Sequence, residues 1–99
     1  MTANYRITPR ALSDLKNIGR YTMEKWGKPQ RNRYLADIDK RFNWLAKHPH
    51  LGKHRSDIAE GYYCFPQGSH LIFYMLNPLG IDIIGIPHQS MDFAAYFDQ

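Results

Sequence analysis

The sequence contains a single cysteine, Cys64, and no apolar run that approaches the ~18 residues of a membrane-spanning helix. One cysteine cannot form an internal disulfide, so this composition favours the reducing cytoplasm. The opening residues, MTANYRITPRA, also lack the apolar stretch of a signal peptide. We therefore expect a cytoplasmic protein without a membrane span, in which Cys64 is a small buried hydrophobe and not a nucleophile.

The motifs of the common enzyme classes are absent as well. The chain has no phosphate-binding loop, nucleophile elbow, paired set of acids or dinucleotide fingerprint. It has no internal repeat, and its 99 residues are expected to form one domain, residues 1–99. The chemistry alone indicates a binding protein or a very small nuclease, and no cofactor is implied.

Three histidines, His48, His50 and His54, lie within seven residues and suggest a metal site. Pro49 interrupts their spacing, however, and no cysteine or paired carboxylate completes a ligand set. We interpret this stretch as a solvated basic loop and predict no bound metal.

The net charge of +4 and the pI near 9.3 favour an acidic partner, which could be a protein or a nucleic acid. The Lys-His-Arg run at 53–55 stands near Tyr62 and Tyr63, a combination that suits phosphate binding with aromatic stacking. An RNA-cleaving site could use these residues with His88 as an acid or base. One well-placed histidine is nevertheless a weak signal for catalysis.

Residues 62–88 hold the densest apolar content of the chain, as three short runs separated by turn residues at 67–69 and 77–80. This pattern predicts an antiparallel meander. Its middle strand, residues 70–76, carries apolar side chains on both faces. Such a strand lies inside a sheet and is at least partly covered on both sides.

The N-terminal half predicts a strand and two helices. Alternating residues at 5–8 indicate the strand, and Thr8 followed by proline gives a helix N-cap for an amphipathic helix over 9–26. A second apolar stripe predicts a helix over roughly 30–47. The connection at 27–29 has a capping glycine and a proline, so the two helices form an antiparallel hairpin.

Residues 48–60 are expected to be irregular, and Ser90 is the predicted N-cap of a short terminal helix. The resulting fold class is α+β, with an N-terminal strand and a helical hairpin packed on a small antiparallel β-sheet and a short C-terminal helix. Because a hairpin returns the chain to its starting end, the second strand should run antiparallel to the first. Which strand pairs with the first stays open.

The chain resembles the ParE branch of the RelE/ParE superfamily of bacterial toxin–antitoxin toxins over about residues 5–92. The resemblance rests on four segments in the family's order and spacing, namely YRITPRALSDLKNIGRYTMEKWG, YLADIDKRFNWLAKHPHLGKHR, GYYCFPQGSHLIFYML and IIGIPHQSMD. It implies the same fold as the residue pattern. It also implies a toxin that poisons DNA gyrase and blocks replication, and that forms a hetero-oligomer with a neutralising ParD-like antitoxin.

The RelE-like members of the superfamily instead cleave messenger RNA on the ribosome, with clustered basic residues and an acid/base or tyrosine near the C-terminus. Here His88 is followed by no basic residue, and only Asp92 and Asp98 are charged. Gyrase inhibition without catalytic residues or sequence-specific nucleic-acid binding is therefore preferred, and RNA cleavage or a non-toxic interaction domain are the alternatives. Pro87 departs from the family, in which an ordinary strand residue is more common.

Two groups of partner contacts are predicted. The residues expected to contact the antitoxin are exposed positions of the helical hairpin and the basic loop, namely Tyr21, Met23, Tyr34, Trp44, Lys53 and Arg55. The residues expected to contact gyrase lie in the C-terminal segment, namely Met91, Phe93, Tyr96 and Phe97. Within that segment we expect Met91 and Phe93 to pack inward and Tyr96 or Phe97 to face the partner.

Overall fold

The computed structural model describes residues 4–98. The elements follow one another as β1 (Asn4–Ile7), α1 (Pro9–Trp26), α2 (Lys28–Lys47), a 3-10 turn (Pro49–Leu51), β2 (Lys53–His54), β3 (Tyr63–Gln67), β4 (His70–Asn77), β5 (Gly80–Gly85) and α3 (Phe93–Phe97). The predicted meander, helical hairpin and terminal helix are all present.

The five strands form one sheet in the order β1-β5-β4-β3-β2. The meander strands β3, β4 and β5 pair antiparallel, whereas β1 pairs parallel with β5. The α+β fold class is confirmed, and the strand that pairs with the first is β5. The sheet is mixed, because the first strand joins the meander in the parallel sense.

The direction predicted for the first strand of the meander is wrong. This strand, β3, was expected to run antiparallel to β1, but it runs parallel to β1. The cause is β2, a two-residue strand inside the stretch predicted to be irregular. β2 leaves the hairpin in the expected direction and pairs antiparallel with β3. The loop at 55–62 then reverses the chain before the meander begins.

The helical hairpin begins and turns through local signals. The Thr8 hydroxyl accepts the Ala11 backbone N–H at 3.3 Å and so caps α1 as predicted. Gly27, with φ of 89°, is the whole connection between the helices. Pro29 therefore lies in the first turn of α2 and not in a linker, and proline is tolerated there because its missing N–H would have no partner inside the helix.

The main core lies between the hairpin and one face of the sheet. Its fully buried members come from both helices, from β4 and β5 and from the residues after β5, namely Ala11, Ile18, Ile38, Phe42, Leu45, Ala46, Ile72, Tyr74, Ile81, Ile83 and Ile86. The Tyr74 hydroxyl donates to the Pro49 carbonyl at 2.7 Å and accepts the Gly52 N–H at 3.0 Å. This buried phenol fixes the chain that leaves α2, so the start of β2 is set from the core.

The opposite face of β4 is covered by the C-terminal segment. The Phe73 ring lies 5.4 Å from the Phe93 ring and 5.0 Å from the Phe97 ring, centroid to centroid. The N-cap of α3 is Asp92, whose carboxylate accepts the Ala95 N–H at 3.2 Å, and not Ser90 as predicted. β4 is thus covered on both faces, as its composition predicted.

We expect replacement of Phe97 by alanine to lower the free energy of unfolding by about 2–3 kcal/mol, because the ring is half-buried against Phe73. Urea denaturation checks this value. Met91→Ala is the matched control, since Met91 is exposed and should change stability by no more than about 0.5 kcal/mol. Equal stability of the two variants would contradict the packing role of α3.

Candidate functional site

Two depressions flank the helical hairpin. The first, which we call the hairpin groove, has a volume of about 630 Å³ and runs along the contact of α1 and α2. Its lining is apolar at the base and charged at the rim, and consists of Ile7, Leu15, Lys16, Gly19, Arg20, Met23, Glu24, Arg31, Leu35, Ile38, Asp39 and Phe42. Met23 is 39% exposed there. A groove of this form suits an amphipathic helix.

The second depression, which we call the histidine cleft, has a volume of about 870 Å³ and lies between the hairpin and the chain that follows β5. Its principal lining residues are Asp14, Tyr21, Lys25, Trp26, Tyr34, His70, Pro87, His88, Ser90, Met91 and Tyr96. It therefore joins residues from α1, α2, β4 and the C-terminal segment.

The two histidines of the cleft are brought together by strand pairing. His70, the first residue of β4, forms an antiparallel bridge with His88. The Leu71 N–H donates to the Pro87 carbonyl, and the Gln89 N–H donates to the Ser69 carbonyl, both at 2.9 Å. Directly opposed residues project on the same face of a sheet, and the imidazole centroids are 5.4 Å apart. Pro87 thus supports the bridge through its carbonyl.

Each imidazole is held through Nδ1 by a hydroxyl. The Tyr34 hydroxyl lies 2.7 Å from His70 Nδ1 and accepts the Ser69 N–H at 3.0 Å. The Ser90 hydroxyl lies 2.7 Å from His88 Nδ1, which also accepts the Ser90 backbone N–H at 3.1 Å. The pKa of His70 is lowered, first by burial and then by the nearby His88, while Asp14 opposes the shift.

Large exposed side chains form the rim of the histidine cleft. Tyr21, Trp26 and Met91 are 58%, 65% and 46% exposed. The Lys25 ammonium lies 3.2 Å from the Tyr21 hydroxyl, and within 5.8 Å of the centroids of both aromatic rings. Three large apolar side chains on one rim are typical of a protein-binding site.

The floor of the cleft is fixed by Asp14 of α1. Its carboxylate oxygen Oδ2 accepts the Ile86 N–H at 2.8 Å and the Tyr96 hydroxyl. Burial and the Asp14 carboxylate both raise the pKa of Tyr96. A Cβ at Gly85 would lie 2.6 Å from the Tyr96 oxygen, so this glycine provides the space that the ring occupies. One carboxylate therefore joins α1 to the end of β5 and to α3.

The predicted antitoxin contacts on the hairpin divide into two groups. Tyr21 and Met23 are exposed, Tyr21 on the histidine cleft and Met23 on the hairpin groove. Tyr34 and Trp44 are half-buried, so their expected exposure is wrong. The Tyr34 hydroxyl bonds within the molecule, and the Trp44 ring packs 5.2 Å from Phe65.

The basic loop keeps only part of its expected positive surface. Lys53 is exposed on β2, but Arg55 forms an ion pair with Asp57 at 3.0 Å and keeps only 16% of its side chain exposed. The guanidinium also lies 5.7 Å and 5.5 Å from the Phe73 and Phe93 ring centroids. It holds the pKa of the Asp57 carboxyl below its usual range. Arg55 thus supports α3 and is not a free cation of the surface.

The C-terminal segment has the expected orientation at Phe93 and the opposite one at its other three predicted contact residues. Met91, predicted to pack inward, is exposed on the rim of the histidine cleft. Tyr96 and Phe97, predicted to face a partner, pack against the body of the protein, and Phe93 packs inward as expected. The reason is the hydrogen bond of Tyr96 to Asp14, which turns that side of α3 toward α1.

The three clustered histidines lie apart from the histidine cleft. His54 stacks on Tyr63 with centroids 4.9 Å apart, and His50 meets the same ring edge-on at 6.4 Å. Across residues 4–98, no three His, Cys, Asp or Glu side chains are grouped so that they could hold a metal ion.

Over the same residues, none of the helices has the length and apolar character needed to cross a membrane.

Sequence reasoning missed His70, Trp26 and Asp14 as members of the site. The signal for Trp26 was its place at the end of the α1 stripe, where a helix leaves the core. His70 and Asp14 gave no local signal, because each belongs to the site only through contacts with the segment that follows β5.

Comparison with known proteins identifies close likenesses over nearly the whole chain. A family described as "ParE toxin of type II toxin-antitoxin system, parDE" matches residues 5–93. Toxin ParE1 of Caulobacter vibrioides is 33% identical over 92 residues, which cover 93% of this chain and 95% of that protein. Toxin ParE1 of Mycobacterium tuberculosis is 32% identical over 93 residues with the same coverage of both chains.

Solved structures share the fold at lower sequence identity. The chromosomal ParDE toxin–antitoxin system from P. aeruginosa contains a chain with a TM-score of 0.75 and 17% identity, covering 88% of this chain and 96% of that one. A chain of the YoeB-YefM complex from Staphylococcus aureus has a TM-score of 0.59 and 16% identity, with coverage of 91% and 100%. These two likenesses bear on the fold alone.

The lowered pKa of His70 predicts that stability falls as the pH decreases. The unfolded chain takes up a proton near the ordinary histidine pKa of about 6.5, above the value in the folded protein, so protonation favours unfolding. The stabilising contribution is complete above pH ~6.5 and is lost as the pH falls through the folded-state pKa.

We therefore expect His70→Gln to reduce the change in unfolding free energy between pH 7.5 and pH 5, measured by urea denaturation at several pH values. His54→Gln, on exposed β2 and outside the cleft, is the control and should keep the parent profile. An unchanged profile in His70→Gln would contradict the assignment.

Proposed function

Because this chain belongs to the ParE toxin family of type II toxin–antitoxin systems, we propose that it inhibits DNA gyrase by direct contact and is neutralised by a ParD-like antitoxin. Inhibition by contact requires a binding surface and no bond-breaking chemistry. The proposed site of action is the bacterial cytoplasm, where gyrase works on DNA. The antitoxin and gyrase are assigned to different depressions.

The observation that carries this proposal is the rim of the histidine cleft. Tyr21, Trp26 and Met91 are large, exposed and gathered on one depression. Tryptophan and tyrosine are the residue types that most often dominate binding energy at protein interfaces. We assign this rim to gyrase. Met91 is kept from the predicted gyrase contacts, and the exposed Tyr21 and Trp26 of α1 replace Phe93, Tyr96 and Phe97.

Ribosome-dependent RNA cleavage is the second candidate, and the His70–His88 pair is the observation in its favour, since two adjacent imidazoles can serve as acid and base. RNA must also be held by several cations. In the part of the cleft that the structure describes, Lys25 is the one lysine or arginine of the lining. Arg55 is already paired with Asp57. Gyrase inhibition is therefore the better supported function.

The hairpin groove is the proposed antitoxin site. Its apolar base can receive the apolar face of an amphipathic helix. The three cations of its lining outnumber the carboxylates of Glu24 and Asp39, and this small positive excess favours acidic residues on that helix. The solved structures that share this fold are toxin–antitoxin complexes by title, which supports an antitoxin as the partner. An extended acidic tail would then follow the surface toward exposed Lys53.

We expect Trp26→Ala to weaken inhibition of gyrase supercoiling about tenfold or more, and Met91→Ala to weaken it about fivefold, because each removes exposed apolar area from one rim. The measurement is the toxin concentration that halves supercoiling by purified gyrase. Leu79→Ala is the control, since Leu79 is 58% exposed, between Met91 and Trp26, but lies in the β4–β5 turn, outside the cleft lining. Normal supercoiling together with cleaved messenger RNA on ribosomes would establish the second candidate instead.

Met23→Glu should weaken binding of the cognate antitoxin at least tenfold, because it replaces an exposed apolar side chain of the hairpin groove by a negative charge. Isothermal titration calorimetry with purified antitoxin gives the affinity. Trp26→Ala should bind antitoxin as the parent does, and Met23→Glu should still inhibit gyrase. Loss of both activities in either variant would mean that the two partners do not use separate depressions.

A further inference from the structure

The paired histidines of the cleft present two nitrogen atoms that the fold leaves available. Nδ1 of His88 accepts a backbone N–H, which places the proton of the neutral ring on Nε2. Nδ1 of His70 is engaged by the Tyr34 hydroxyl. Among the hydrogen bonds of residues 4–98, none involves Nε2 of either ring. Nε2 of His88 is therefore a donor in the neutral ring. The Tyr34 hydroxyl also has the Gln67 carbonyl as an acceptor at 3.2 Å, so Nε2 of His70 is a donor in either tautomeric setting once that ring is protonated.

The charged and titratable groups around this pair come from three helices. α1 contributes Asp14, Tyr21 and Lys25, α2 contributes Tyr34, and α3 contributes Tyr96. The Asp14 carboxylate is occupied by the Ile86 N–H and the Tyr96 hydroxyl. Lys25 is the cation of the rim, and it lies beside two aromatic rings. The cleft therefore combines donors and one cation with an apolar edge.

We propose that the histidine cleft binds a carboxylate, namely the acidic side chain of a protein partner that has apolar residues on either side of it. The carboxylate accepts hydrogen bonds from the imidazole Nε2 atoms of His70 and His88, with Lys25 at the mouth of the cleft. The flanking apolar residues contact Trp26 and Met91. Because this rim is the one assigned to gyrase, the site rests on the proposed function and adds the chemistry of the group that the cleft receives, and the peptide experiment tests it without gyrase.

A carboxylate fits this cleft better than the phosphates of a nucleic acid. A polyanion requires several cations along its path, whereas the described lining offers Lys25 and no arginine. The fixed negative charge of Asp14 in the floor also opposes a dianion more than a single carboxylate. The exposed rim of tyrosine, tryptophan and methionine matches apolar side chains and not a sugar–phosphate backbone.

Binding at this site is coupled to proton uptake. A nearby carboxylate favours the protonated form of an imidazole, and the charge of that form strengthens the hydrogen bond. Burial disfavours the charged form of His70 in the free protein, so the proton arrives together with the ligand. Affinity should therefore rise by about tenfold as the pH decreases from 7.5 to 6.0, because full uptake of one proton across these ~1.5 pH units would give about 30-fold and uptake is partial in this range.

The test uses a blocked tripeptide that has a glutamate between two leucines, with the glutamine tripeptide as its matched control. Titration into the full-length protein is followed by NMR of the imidazole carbons at pH 6.0 and pH 7.5. We expect saturable shifts at His70 and His88 with the glutamate peptide, about tenfold tighter at pH 6.0, and no shift at exposed His54. The glutamine peptide should bind at least tenfold more weakly at pH 6.0.

His88→Gln separates the site from general charge effects. His88 is exposed, so this variant should keep its fold, and it should lose at least tenfold in affinity for the glutamate peptide. Equal binding of both peptides, equal shifts at His54, or full affinity in His88→Gln would each overturn the proposal. Saturable binding of inorganic phosphate without binding of the glutamate peptide would also overturn it, and would indicate a nucleic-acid site.

Discussion

The burial of β4 on both faces is the constraint on which the rest of this structure depends. Ile72 and Tyr74 require the hairpin above one face, and Phe73 requires α3 on the other. An isolated helix of the length of α3 is not stable in water, so its contacts with the sheet are what maintain it. The helical hairpin and α3 are consequently held by the same strand, one on each face.

Local signals made most of the fold predictable. The Thr8 cap, both amphipathic stripes and the alternating runs of the meander each specify an element from residues close in sequence. Two features carry no such signal. β2 has only two residues, too few to show a period, and the parallel pairing of β1 with β5 joins residues far apart in the chain. Because β2 was not predicted, the direction predicted for β3 was wrong.

The candidate site was less predictable, because it depends on the orientation of side chains more than on composition. Apolar residues cover much of the circumference of the C-terminal segment, so the pattern could not show that Tyr96 packs inward and Met91 outward. That choice follows from Asp14, which accepts the Tyr96 hydroxyl from a helix almost at the other end of the chain. In the same way, the sequence of α2 could not show that Tyr34 is half-buried, because its partner His70 is positioned by the bridge to His88.

Gly27, the single residue between α1 and α2, limits how far the hairpin groove can change shape when a segment binds in it. With Gly27 as the whole connection, and with both helices packed on a buried strand, the walls of the hairpin groove cannot move apart independently. A rigid groove loses little conformational entropy on association, so the ordering cost falls almost entirely on whatever binds there. A segment that is unfolded when free would be ordered along this surface, and its release would make it accessible to proteases again.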